Sequence, residues 1–241
     1  MQIEHRDHGV VSVIFSHTAD GNFISSAQIR DFAAALDTVL ATKGLTAVVL
    51  AGEGENFCAG RVGVKGLTAA GDIRDDLNLI LEVNKRLRGS PVPFVAAVEG
   101  KAFGFGCGFS TQCDVTIAAA DAQFSLPEMS HKLPPLVVLS YFGTFVPFKR
   151  AFELALTSRI FGAEEAERIG IATEVVPSGT ALARAFAFAE MIAGLDADSV
   201  RLLRQFARRV AGLSDDIEAQ NGVAQMALMM SARALRQGGA A

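Results

Sequence analysis

Residues 95–128, VAAVEGKAFGFGCGFSTQCDVTIAAADAQFSLPE, decide the fold. The run Phe94 to Val98 is apolar and β-rich and reads as a buried strand that breaks at Gly100. Gly104, Gly106 and Gly108 then crowd into a turn, helix-compatible residues follow, and the segment ends on Pro127-Glu128. Glycine lets backbone approach a ligand closely, and a turn that opens a helix presents unpaired N–H groups at the positive end of a dipole. Such a turn suits a developing negative charge. By spacing alone the glycines serve equally well to let a helix pack tightly on a sheet.

Around that stretch the pattern is strand, helix, strand. Val10 to Ser16 is β-branched and reads as a strand; Ser25-Ser-Ala-Gln28 has the form of a capping box, and Ile29, Phe32, Leu36, Val39 and Leu40 recur at helical spacing. Leu45 to Ala51 is a second buried strand, which completes a βαβ unit. Between His17 and Ile24 runs a polar loop. Arg61 to Asp76, with Gly63, Gly66 and Gly71, reads as a loop or lid, and Leu77 to Leu87 as a helix stopped by Gly89-Ser90-Pro91. Asp114 to Ala118 and Gln123 to Leu126 are short strands, and everything after Glu128 is mostly helical, ending with an apolar stripe through Val223, Met226, Ala227, Met230 and Leu235.

Composition narrows the class. The chain has 241 residues, half of them hydrophobic, with a net charge of −4, which fits a globular protein with no generic attraction to nucleic acid. No apolar run approaches the roughly 18 residues of a membrane span, and Met1 to Asp7 is too polar for a signal peptide, so a cytoplasmic location without membrane contact is expected. Cys58, Cys107 and Cys113 lack metal-type spacing and read as reduced thiols; no metal site is expected. The stretch Gly104 to Phe109 is not GxGxxG, and no phosphate loop, HExxH or GxSxG motif is present.

Two motifs carry a resemblance. The pattern VxGxAxGxGCxxxxxCDxxIAAxxAxFxxPE, together with Glu55-Asn-Phe-Cys-Ala-Gly-Arg61, resembles the crotonase superfamily, the enoyl-CoA hydratase/isomerase family, from about Val10 to Val176. The resemblance implies an α/β fold, a ClpP/crotonase-like spiral of ββα units over residues 1–176, with a C-terminal helical region over 177–241 that serves oligomerisation as a homotrimer or homohexamer. It implies an acyl-CoA thioester as substrate and no cofactor beyond that coenzyme A moiety. The backbone N–H groups of Arg61 and Phe105 would grip the thioester oxygen, and Glu128 would handle the adjacent proton, desolvated among Phe124, Leu126 and Leu133. Ala19, Asp20, Gly21 and Ala59 would carry coenzyme A. Lys149, Arg150 and Arg236 are candidates for its phosphates.

Several residues keep a second reading. Pro-Glu is ordinary chemistry for a helix start, so Glu128 is also explicable as a structural acid. His131, three positions on, is a further acid-base candidate or a surface histidine. Asp114 reads as structural, a cap or ion-pair member. The resemblance places a small residue and Gly where this chain has Arg61 and Phe105, which are expected to crowd the pocket. It also places a second Glu, which hydratases pair with the first to activate water, where this chain has Gly108. A single-Glu isomerisation of enoyl-CoA is therefore preferred. A hydratase or acyl-CoA hydrolase of the same superfamily, and a non-catalytic acyl-CoA-binding subunit, are the alternatives.

Overall fold

The computed structural model describes residues 1–62 and 70–211. The expected helix over 217–236 and Arg236 lie outside the described residues. In chain order the elements are β1 (Gln2–His5), β2 (Val10–Phe15), β3 (Phe23–Ile24), α1 (Ser26–Leu40), β4 (Ala47–Gly52), β5 (Gly60–Arg61), α2 (Ala70–Gly89), β6 (Phe94–Val98), β7 (Lys101–Phe103), α3 (Phe105–Gln112), β8 (Val115–Ala119) and β9 (Gln123–Ser125). There follow α4 (Leu136–Phe142), α5 (Phe148–Thr157), β10 (Phe161–Gly162), α6 (Ala163–Arg168), β11 (Glu174–Val176), α7 (Ala181–Ala193) and α8 (Ala197–Val210).

The large sheet has the order β1-β2-β4-β6-β8-β11, with every pair parallel except β1 on β2. Its centre is β4 and β6, whose side chains are almost wholly buried; a parallel strand covered on both faces reads as a continuous apolar run rather than an alternating one. One face is closed by α7, which lies against β4, β6 and β8 through Ala181, Ala185, Phe186, Ala189 and Ile192. Nearby, Phe15, Phe32, Phe57, Phe105 and Phe109 form a chain of ring contacts, the type of aromatic cluster worth about 0.5–1.5 kcal/mol per pair beyond burial.

A small sheet, β10-β9-β7, turns the chain sideways after β6, and β3 pairs with β5 in a two-stranded ribbon. These short strands position the site. Ser25 caps α1 with the expected box: its side chain accepts from the Gln28 N–H while the Gln28 side chain accepts from the Ser25 N–H.

One expectation is corrected. The loop placed over Arg61 to Asp76 ends at Ala70, where α2 begins. Asp76 then supplies a tertiary anchor, since Ser26 Oγ donates to it at 2.6 Å and Arg61 pairs with it. Residues 63–69 lie outside the described residues.

Candidate active site

The site forms where β5, β7, β9 and α3 meet. Phe103 donates its N–H to Cys58 O at 3.0 Å and Cys58 donates to Lys101 O at 2.9 Å, so β7 draws the Phe57-Cys58-Ala59-Gly60 segment alongside the glycine turn. Gly104 donates to Ser125 O at 2.9 Å, which ties the same turn to β9 and hence to Pro127-Glu128. The chain can fold this tightly because Gly104 sits at φ +50°, a conformation costly for residues with a Cβ, and because a Cβ on Gly106 would run into the carbonyl of Cys58.

Phe105 is the first residue of α3, so its N–H has no acceptor inside the helix. Across from it, Val62 donates to Ile24 O at 2.9 Å, and strand alternation then directs the Arg61 N–H away from β3. Both side chains are anchored. The Arg61 guanidinium is held by Ser26 Oγ at 3.1 Å and by Asp76, and the Phe105 ring stacks on Phe109 at 5.6 Å in the core.

Glu128 lies in a 3₁₀ turn, Pro127 to His131, with Pro at its start. Its Oε1 would be 3.2 Å from a Cβ on Gly104, so the carboxyl sits directly over the glycine turn. Its Oε2 is buried and has no hydrogen-bond partner among the described residues. Burial pushes the Glu128 pKa above the usual glutamate value, with a smaller opposing effect from its own backbone and from His131. Phe124 and Leu126 are buried as expected, but Leu133 is 61% exposed and adds no cover. His131 is exposed at the end of the turn.

In the predicted coenzyme loop, Ala19 and Asp20 are exposed, and a Cβ on Gly21 would be 4.0 Å from Ala59 Cβ. That loop and Ala59 are therefore neighbours. What joins them is Asn22, which sequence reasoning missed: its amide donates to Glu53 O at 2.9 Å and Asn56 O at 2.6 Å, and its Oδ1 accepts from His17 N–H. A Gly-Asn pair, both at positive φ, is a turn signal that could have found it. Lys149 and Arg150 are exposed at the start of α5.

The structure also accounts for Gly108. A Cβ there would collide with the hydroxyl of Tyr141 and lie 3.2 Å from both methyls of Val138, so α4 fills the space a larger side chain would need. Tyr141 is 6% exposed, and burial pushes its pKa upward, so its hydroxyl stays protonated. A cavity of about 610 Å³ lies beyond, at the other end of α3, between Gln112, Thr144, Phe145 and Arg208; Glu128 is not in its wall.

A helix-start amide beside one partly desolvated carboxyl suits proton transfer next to a polarised carbonyl. The comparisons agree with that class. The description enoyl-CoA hydratase/isomerase matches residues 5–238. The chain is 30% identical over 196 residues to the enoyl-CoA hydratase EchA19 of Mycobacterium tuberculosis, covering 79% of this chain and 73% of that one. It is also 30% identical over 200 residues to the mitochondrial enoyl-CoA hydratase domain-containing protein 3 of Rattus norvegicus, covering 80% of this chain and 65% of that one. The crystal structure of an enoyl-CoA hydratase from Mycobacterium smegmatis superposes with a TM-score of 0.90 over 95% of this chain and 90% of that one, at 22% identity, which shows the crotonase fold. The chain belongs to the enoyl-CoA hydratase/isomerase family and is an enzyme of that family acting on acyl-CoA. Among the described residues no helix is long and apolar enough to cross a membrane.

Proposed function

We propose that this enzyme moves a double bond in an enoyl-CoA by a single-carboxylate proton shuttle. The observation that carries the reading is the solitary state of Glu128: among the described residues its buried Oε2 has no partner, and the place of a second carboxylate is Gly108, backed by Tyr141 and Val138. The thioester oxygen binds between the N–H groups of Arg61 and Phe105, which stabilise the enolate as it forms; losing one such donor typically costs about 3–4 kcal/mol of barrier. Glu128 takes a proton from the α carbon and returns it at the γ carbon. Its raised pKa brings a carboxyl nearer the working pH, where proton transfer in both directions is efficient. His131, exposed beyond it, adjusts the local charge.

Coenzyme A lies along Ala19, Asp20, Gly21 and Ala59, and the reaction needs no cofactor beyond it, because both proton steps use the protein's own groups. The enzyme works as a homotrimer or homohexamer in the cytoplasm, with residues 177–241 making the subunit contacts. Hydration is the second reading, favoured by relatives that bear the name hydratase. An assay offering 3-enoyl-CoA and 2-enoyl-CoA separates them: interconversion without 3-hydroxyacyl-CoA supports the isomerase, water addition supports the hydratase, and binding of thioesters without turnover of either overturns both.

A further inference from the structure

Ser158 holds a backbone conformation that is strained for a residue with a side chain. It ends α5 at φ +53°, in the left-handed region, where glycine is the usual helix terminator. What the side chain brings is a hydroxyl. Ser158 Oγ accepts from the Ser130 N–H at 3.2 Å, and Ser158 O accepts from Ser125 Oγ at 3.2 Å. Ser125 closes β9 and Ser130 lies in the turn Pro127 to His131, so the two contacts fall on either side of Glu128. A glycine at 158 would keep the contact to Ser125 and lose the one to Ser130.

The segment that supplies these contacts is itself fixed. Arg159, the next residue, forks onto Glu153 at 2.7 and 2.9 Å and onto Glu165 at 2.8 and 2.6 Å, which ties the end of α5 to α6. Just beyond, Phe161 stacks on Phe124 of β9 with ring centroids 5.7 Å apart. The Glu128 side chain has no comparable hold: among the described residues its buried Oε2 has no partner. The place of the carboxyl over Gly104 therefore follows the place of the turn that carries it. A shift of the turn is a shift of the acid, and proton transfer is steeply sensitive to such misplacement.

We propose that Ser158 is a positioning residue for Glu128: its hydroxyl holds the Ser130 N–H and so sets how the carboxyl stands over the glycine turn where the thioester binds. The bond accounts for a serine where glycine is easier for the backbone, since glycine cannot make it. Ser158 acts through the turn and not on the substrate. Nothing in the Thr157-Ser158-Arg159 step points back to Glu128, so the link is visible only in the folded chain. This inference rests on the reading of Glu128 as the acid that moves the proton.

The test is Ser158→Gly in the full chain, with three measurements side by side: kcat and KM for isomerisation of 3-enoyl-CoA, the dissociation constant of butanoyl-CoA, and the melting temperature. Glycine adopts the left-handed backbone freely, so a melting temperature near the wild type's is expected. KM and thioester affinity should stay unchanged, while kcat falls by about two- to tenfold, the range of one net hydrogen bond. A kcat per folded molecule equal to the wild type's overturns the inference, whatever the melting temperature does. A loss of thioester affinity as large as the loss of kcat also overturns it, because the whole site would then have moved. A wild type that fails to isomerise 3-enoyl-CoA instead overturns the reading of Glu128, and this inference with it.

Discussion

Asp114 and Glu128 are both acids inside the same motif, and the protein treats them in opposite ways. Asp114 is saturated: Phe94 N–H donates to it at 2.8 Å, and Arg204 and Arg208 each donate at 2.9 Å. Those two arginines from α8 also hold the carbonyls of Leu87, Ser90 and Gln112, so one carboxylate fastens the last described helix to α2, β6 and α3. Glu128 has one oxygen over a glycine turn and the other without a partner among the described residues. A carboxylate surrounded by donors is fixed in place; one deprived of them is left able to exchange a proton. The contrast separates framework from chemistry more clearly than the motif does.

Substitutions should therefore divide along the same line. Glu128→Gln should cut enoyl-CoA isomerisation by about 100- to 10,000-fold, the usual worth of a general acid-base group, while thioester binding persists in calorimetry. Asp114→Ala should do the reverse. It strands two guanidinium groups, one of them 4% exposed, and is expected to cost about 3–5 kcal/mol in denaturant unfolding, with the surviving folded fraction still turning over. Comparable losses of activity per folded molecule in both variants would erase the distinction.

A smaller effect follows from pH. The pKa of Glu128 is raised in the folded state, so its folded form binds a proton more readily than the unfolded chain does. That contribution to stability is fully present below the ordinary glutamate value and is lost as pH rises through the folded value. Glu128→Gln should thus match the wild-type melting temperature in acid and exceed it at neutral pH and above. A melting difference that does not change with pH would place the carboxyl in ordinary solvent. Smallest of all should be the response to thiol reagents: the three cysteines are free and buried, with Cys58 pushed up to about 12, so the native enzyme should label far more slowly than the unfolded chain.

How far the sequence carried depended on how local the cause was. The capping box at Ser25, the strand at Phe94 to Val98 and the glycine turn are written in a few adjacent residues, and each is found in the structure. The edge strand β1, the short strands β5 and β7 and the terminal strand β11 were not legible, because their formation is fixed by partners rather than by propensity. Within the site, the motif located Glu128, but its isolation depends on packing that the motif does not contain. The destination of the Arg61 side chain, the Asn22 clasp and the Tyr141 hydroxyl beside Gly108 are all contacts between distant parts of the chain. Crowding by Arg61 and Phe105 was inferred from side-chain size; the contacts that anchor them, Arg61 on Asp76 and Phe105 on Phe109, are not written in that motif.

The central claim is that Glu128 exchanges the proton beside a thioester carbonyl held at the α3 start. Its most direct measurement is the uptake of deuterium at the α carbon of a saturated acyl-CoA in D₂O, followed by NMR with wild type and with Glu128→Gln. Exchange by the wild type that disappears in the variant, with binding retained, is the predicted result. Equal exchange by both proteins, or none by a wild type that binds the thioester, would contradict it.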